Sequence, residues 1–309
     1  MVCRQFLNVR CIIKPIPGGD YREFSSDGFS IGSLQLIGLE GLVLAEHVEG
    51  KLLIIGGAED KKNECKILKQ FIQESGGRES RITVLTAATE YPLQVGTEYH
   101  ALFLELGAKE VQVLDVSDRT QANRPGIEKE FANSTGIFFT GGDQLRITGL
   151  LGGTLLGRKL QQMYKQGIII AGTSAGASVM SDTMIVGGEA GTAKKDTITM
   201  APGLGLLRSV VVDQHFAQRG RTGRLLSAIS QNPYVLGVGI DEDTAILVQS
   251  DASFSVIGSN TVTVIDASTS TITNVSETTP GQALVLSPVL MHVLSEGFGF
   301  DLKNRVSRL

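Results

Sequence analysis

The feature that most constrains this chain is the stretch Gly167-Ile-Ile-Ile-Ala-Gly-Thr-Ser-Ala-Gly-Ala177. Residues 168–171 are an apolar run with the length and chemistry of a buried parallel strand. The run passes directly into Gly172-Thr-Ser-Ala-Gly176, which fits G-x-S-x-G, an elbow where a strand turns sharply into a helix with serine at the bend. Glycines let the backbone fold tightly there without a Cβ clash. The N–H groups that open the next helix are placed to stabilise an oxyanion. Five letters of glycine, serine, threonine and alanine are also ordinary loop material. The strand before them and the helix-compatible residues 175–181 after them are what make Ser174 a candidate nucleophile.

An elbow of this kind needs a sheet to sit on. From Lys51 onward, apolar runs at 51–55, 81–85, 110–114 and 136–140 read as strands. Between them, 63–74 carries an apolar stripe at Ile67, Leu68, Phe71 and Ile72, and 97–106 and 128–133 also read as helices. Residues 144–160 read as a helix that Gly149, Gly152, Gly153 and Gly157 weaken or interrupt. This alternation predicts an α/β domain with a mainly parallel sheet, whose ligands sit at the carboxyl ends of the strands. Gly56-Gly57, Gly141-Gly142 and Ser174 all fall at such ends.

After Leu236 the texture becomes β-rich, with short runs between 245 and 286 separated by turn residues such as Gly258-Ser-Asn260. These runs are too short to bury a core alone. They are expected to extend the same domain, giving residues 50–309 as one α/β unit with a β-rich part at about 245–294. Residues 1–49 match no regular pattern and are expected to be an extension, partly disordered.

Composition narrows the function. With 28 basic and 32 acidic residues the net charge is −4, which argues against a nucleic-acid binder working through a general positive field. The three cysteines lack C-x-x-C spacing, and no two of the four histidines have helical ligand spacing, so no metal or disulfide framework is expected. No apolar run reaches bilayer-spanning length, and Arg4, Arg10 and Lys14 interrupt any secretory core. A cytoplasmic protein without a membrane segment, metal or cofactor is the expectation.

A serine hydroxyl needs a general base, usually a histidine oriented by a carboxylate. Downstream of Ser174 stand His215 and His292. His292 lies in the apolar run Val289-Leu-Met-His-Val-Leu294 and reads as a strand residue. His215 follows Val210-Val-Val-Asp-Gln at the end of a strand, where a sheet enzyme presents its base. Two carboxylates are candidates for the third member. Glu189 sits in the glycine-rich bend Gly187-Gly-Glu-Ala-Gly191, in the Ser…Glu…His order of hydrolase elbows, and Asp213 shares a strand face with His215. Arg219, Arg221 and Arg224 follow the histidine closely; guanidinium forks suit an acidic substrate, although a solvated helix start would look the same.

Five separated motifs now stand in order: Lys51-Leu-Leu-Ile-Ile-Gly-Gly-Ala-Glu-Asp60, Phe139-Thr-Gly-Gly-Asp-Gln144, Gly172-Thr-Ser-Ala-Gly-Ala-Ser178, Asp213-Gln-His-Phe-Ala-Gln-Arg219 and Gly239-Ile-Asp-Glu-Asp-Thr244. From Lys51 to the C-terminus the chain resembles the cyanophycinases, serine peptidases related to aspartyl dipeptidases of the dipeptidase E type. The resemblance implies a flavodoxin-like fold similar to class I glutamine amidotransferases, and a homodimer. It implies hydrolysis of cyanophycin, a poly-aspartate bearing arginine on each β-carboxyl, to β-Asp-Arg dipeptides. It also implies Ser174 as nucleophile, His215 as base and Glu189 as acid. The oxyanion donors would be Ala175 with Gly141 or Gly142. Gln144, Asp213, Gln214, Arg219, Arg221 and Arg224 would line the substrate pocket. The rival readings are an aspartyl dipeptidase and a catalytically silent relative that binds an acidic peptide.

Overall fold

The strand–helix alternation folds as expected in the computed structural model of the chain, which describes residues 50–309. The expected N-terminal extension, residues 1–49, lies outside the described residues. The first half runs β1 (Leu52–Ile55), α1 (Lys66–Glu74), β2 (Arg81–Leu85), α2 (Pro92–Glu105), β3 (Glu110–Leu114), the single turns α3 (Arg119–Ala122) and α4 (Ile127–Glu130), β4 (Gly136–Phe139), α5 (Gln144–Leu151), α6 (Leu155–Lys165), β5 (Ile169–Thr173) and α7 (Ala175–Ser178). The second half runs β6 (Thr183–Gly188), β7 (Ile198–Pro202), β8 (Val210–Gln214), α8 (Thr222–Ser230), β9 (Leu236–Ile240), β10 (Thr244–Val248), β11 (Ser253–Gly258), β12 (Val262–Asp266), the two-residue β13 (Ile272–Thr273) and β14 (Leu286–Ser287), β15 (Leu290–Leu294), β16 (Gly299–Asp301) and β17 (Val306–Arg308).

The main sheet has the order β17-β16-β11-β10-β1-β5-β4-β2-β3. From β1 to β3 every pairing is parallel; from β1 outward to β17 every pairing is antiparallel. β1 and β5 are buried along their whole length, as a strand covered on both faces must be. Their side chains alternate between two cores. Leu53, Ile55, Phe138, Ile169 and Ala171 pack under α1 and α2, whereas Leu52, Ile54, Phe139 and Ile170 pack under α5, α6 and α7. Under α1 and α2 the rings of Phe71, Tyr99, Phe103 and Phe138 lie 4.8–5.9 Å apart. Truncating one such fully buried phenylalanine costs roughly 3–5 kcal/mol.

The β-rich region does not form one extension. β10, β11, β16 and β17 continue the main sheet, while β9, β12 and β15 join β8 in a second sheet of order β15-β12-β9-β8. Val212, Val238 and Val264 of that sheet join the main core, and Val211 and Ile265 on its other face meet Leu225 and Ile229 of α8. The β6–β7 hairpin, which periodicity did not mark, packs Met184 into the main core and Ile185 against the α8 side.

Helix bounds differ from the periodicity for local reasons. α1 begins three residues late because the Asp60 carboxylate accepts from the N–H groups of Lys62, Asn63 and Cys65, holding 60–65 as a loop. α2 begins early, at Pro92, where a missing N–H costs nothing. The long glycine-weakened helix is two helices: Gly152-Gly153 breaks it, and the Thr154 hydroxyl caps α6 by accepting from Gly157 N–H. The predicted helix at 175–181 stops at Ser178.

Candidate active site

Parallel register brings the carboxyl ends of three strands together. Thr173 is level with Ile55 of β1, and Gly172 with Phe139 of β4. The residue after β5, Ser174, therefore lies between the turns that leave β1 and β4. Ser174 has φ 53° and ψ −111°, the strained backbone that turns a strand into a helix over one residue. The glycines of the elbow are required by contact. A Cβ on Gly172 would stand 2.3 Å from the Gly176 carbonyl oxygen, and one on Gly176 would stand 2.6 Å from that of Phe139.

β8 pairs in parallel with β9, with Gln214 level with Ile240, so the residues just past the two strands emerge side by side. Those residues are His215 and the acidic run Asp241-Glu242-Asp243. Ser174 Oγ lies 2.9 Å from His215 Nε2, and His215 Nδ1 lies 2.6 Å from Glu242 Oε1. A carboxylate can only accept, so the proton sits on Nδ1 and the Nε2 lone pair faces the serine hydroxyl. Burial holds the His215 imidazole below its usual pKa; the Glu242 bond pulls it part of the way back, and the Arg219 charge opposes that. The neutral base is thereby favoured.

The surrounding backbone fixes this arrangement. His215 N–H donates to Gly56 O at 2.8 Å, Ser174 N–H to Ile55 O at 3.0 Å, and Asp243 N–H to Gly57 O at 2.9 Å. Asp241 is buried and accepts from Ala217 N–H at 2.9 Å and from the Thr261 hydroxyl at 2.7 Å. Glu242 is itself held by Gln218 Oε1, which accepts its N–H at 3.1 Å. Gly57, at φ 103°, lies directly against the imidazole, where a Cβ would come within 2.4 Å of its Cε1.

Two carboxylate expectations are corrected. Glu189 makes no hydrogen bond to His215; it is exposed at the end of β6, on a hairpin whose Gly191 backbone rests against Gly223 of α8. Glu242 occupies the place against Nδ1 instead. Asp213 is buried beneath the site and faces arginines, not the imidazole. It accepts from Arg224 Nε at 2.9 Å, from Arg224 Nη2, and from Arg221 Nη1 at 3.3 Å.

The other expected pocket residues divide in the same way. Arg221 also donates to Gln214, at 2.7 Å to its side-chain oxygen and again to its carbonyl, so Arg221, Arg224, Asp213 and Gln214 form one buried network. Burial pushes the Arg221 guanidinium down to about 10, against the opposing charge of Asp213. These arginines are not the free forks that the sequence suggested. Arg219 is exposed and forms no ion pair among the described residues. Gln144 donates to Ile185 O at 2.9 Å, tying α5 to the hairpin. Gly141 lies beside the nucleophile, a Cβ there falling 3.4 Å from that of Ser174, and Gly142 has φ 143° with its Cα packed on Ala88 O. Among the described residues the N–H groups of Gly141 and Gly142 have no protein acceptor, and that of Ala175 opens α7.

A serine at an elbow, bonded to an imidazole that is bonded to a carboxylate, is the arrangement of a serine hydrolase. Comparison with known proteins agrees. The profile of Peptidase family S51 matches residues 52–256. A cyanophycinase of Geminocystis herdmanii is 40% identical over 262 residues, covering 84% of this chain and 96% of that one. A cyanophycinase of a Nostoc species is 40% identical over 256 residues, covering 82% and 86%. The crystal structure of a peptidase from an acI-B1 Actinobacterium shares the fold, with a TM-score of 0.61 at 21% identity, covering 83% of this chain and 98% of that one. The chain belongs to peptidase family S51, and is an enzyme of the serine-hydrolase class. Among the described residues no helix is long and apolar enough to cross a membrane.

Proposed function

We propose that this chain hydrolyses cyanophycin to β-Asp-Arg dipeptides through an acyl-enzyme on Ser174. The observation that carries the chemistry is the pair of contacts on the two nitrogens of His215, 2.9 Å to Ser174 and 2.6 Å to Glu242. The substrate reading is supported by the two cyanophycinases at 40% identity.

His215 Nε2 takes the hydroxyl proton as Ser174 Oγ attacks an aspartyl carbonyl carbon of the polymer backbone. Glu242 stabilises the resulting imidazolium and keeps its ring in place. The oxyanion accepts from Ala175 N–H and from Gly141 or Gly142 N–H, an arrangement worth about 3–4 kcal/mol per donor. The imidazolium then gives its proton to the leaving amine as the C–N bond breaks. Water attacks the acyl-enzyme, loses a proton to His215, and releases the dipeptide while Ser174 recovers its own proton. Arg219, exposed four residues past the base, pairs with a substrate carboxylate. The network of Asp213, Gln214, Arg221 and Arg224, with Gln144, forms the wall of the pocket.

The fold reading is flavodoxin-like, similar to class I glutamine amidotransferases. Its support is the parallel order β3-β2-β4-β5, with β1 standing where a fifth strand would. A homodimer is part of the same proposal; the edge strand β15, with exposed Leu290, Met291 and Val293, offers a surface for it.

Incubating the purified protein with cyanophycin and identifying products by mass tests the proposal. Release of β-Asp-Arg is the expected result. Polymer left intact while α-Asp-Leu is cleaved would replace it with the aspartyl dipeptidase reading. Polymer bound without any cleavage, with no fluorophosphonate labelling of Ser174, would replace it with a silent binder.

A further inference from the structure

One buried acid has no part in the chemistry described above. Glu59 lies two residues past Gly57 and is 5% exposed. Its Oε1 accepts from Tyr99 OH and its Oε2 from Thr173 Oγ1, each at 2.5 Å. No cation pairs with it among the described residues. Lys61, nearby in sequence, instead pairs with Glu98 and lies 4.1 Å from the Tyr99 ring centroid. Burying a carboxyl group without a counter-ion is costly, so its two short bonds need an account. Burial, then the charge of Glu59, pushes the Tyr99 hydroxyl well above the usual tyrosine range, so it remains a donor.

The attachments of Glu59 supply that account. Thr173 is the residue immediately before the nucleophile. The segment from Ile55 to Gly57 accepts backbone N–H groups from Ser174, His215 and Asp243 in turn, and Gly57 is the surface on which the imidazole lies. Between that segment and Glu59 the chain passes through Gly57 at φ 103° and Ala58 at φ 48°. A non-glycine residue held in the left-handed region is disfavoured and must be fixed by its surroundings. Glu59 ends this strained passage and bonds it to β5 on one side and α2 on the other.

We infer that Glu59 is a positioning residue for this site: through Thr173 and Tyr99 its carboxylate clamps the turn after β1 to the elbow, and so sets the approach of the His215 imidazole to Ser174 Oγ. The inference rests on Ser174 and His215 being the reacting pair.

The test compares Glu59→Gln, Thr173→Val and Thr173→Ser with the wild type. Active sites are titrated with a fluorophosphonate, and kcat on cyanophycin is expressed per titrated site. The second-order labelling rate gives a readout independent of the substrate. Misplacing a reacting group by a fraction of an ångström to an ångström costs up to about 100-fold. Glu59→Gln and Thr173→Val are therefore expected to lower per-site kcat and labelling rate roughly 10- to 100-fold with KM unchanged. Thr173→Ser, which keeps the donor, is expected to retain most of the rate. The double variant is expected to be no slower than the worse single variant, because both break one link. Per-site rates equal to the wild type, with only fewer labelled sites or a lower Tm, would overturn the inference and leave Glu59 as a folding element. Should Glu59→Gln not fold, the contrast between Thr173→Val and Thr173→Ser decides. A wild-type protein that the probe does not label sinks the nucleophile reading itself; a labelled wild type whose variants keep their per-site rates sinks the role of Glu59 alone.

Discussion

Two carboxylates carried by the neighbouring strands β8 and β9 use opposite physics. Asp213, within β8, is buried and receives two guanidinium groups, one of them through both Nε and Nη2. Glu242, just past β9, keeps 35% of its side chain exposed and makes a single bond to an imidazole. The first has its acceptor capacity filled by charged donors and is set up to hold its neighbours still. The second spends one oxygen on His215 and stays accessible to solvent, as suits a group that must stabilise a charge appearing only during reaction. The carboxylate that answers permanent charges is paired and sealed, whereas the one that answers a transient charge is left partly exposed.

The largest expected effect lies on the reactive side of that contrast. Ser174→Ala should fold normally and lose turnover by about 10⁴-fold or more, measured as dipeptide release. Next, Glu242→Gln should lower kcat by about 10³- to 10⁴-fold while leaving Tm nearly unchanged, because the amide cannot stabilise the imidazolium. Glu189→Gln, on the exposed hairpin, should stay within about twofold of wild type. Equal losses from the two substitutions would erase the distinction. On the sealed side, Asp213→Asn leaves two buried guanidinium groups without their anion, and should cost on the order of 3 kcal/mol in denaturant unfolding. If that variant kept its stability and lost only activity, Asp213 would belong with the reacting groups.

The smallest effect is in pH. The base must be neutral, and its pKa is depressed, so the acid limb of kcat/KM should lie below the ordinary histidine value near 6.5. Glu242 raises that pKa, so whatever activity Glu242→Gln retains should have its limb moved further down. Arg219 lowers it, so Arg219→Gln should move the limb up. Opposite displacements would contradict the geometry.

The sequence made Ser174 and His215 legible because each follows an apolar run that ends at a sheet edge. The parallel sheet was legible for the same reason. Glu242 was not, although the motif Gly239-Ile-Asp-Glu-Asp-Thr244 contains it. Its proximity to His215 comes from the β8–β9 register, and periodicity within a strand says nothing about which strand is its neighbour. The order of hydrolase elbows pointed to Glu189 instead, whereas here the acid follows the base along the chain. The acidic triplet at the end of an apolar run was the available signal. The arginines were misjudged because spacing does not reveal burial: only the buried Asp213 shows that Arg221 and Arg224 are already engaged. The division of the β-rich end between two sheets was hidden for the reason that hid Glu242.

The bare Cα of Gly57 has a practical consequence. A single methyl group there would collide with the imidazole while leaving the attacking oxygen in place. Gly57→Ala would thus disarm the enzyme by evicting its proton acceptor, with the hydroxyl still present to hold an uncleaved polymer end for crystallography. The same position offers a quick diagnostic when newly sequenced relatives are sorted into working enzymes and idle ones.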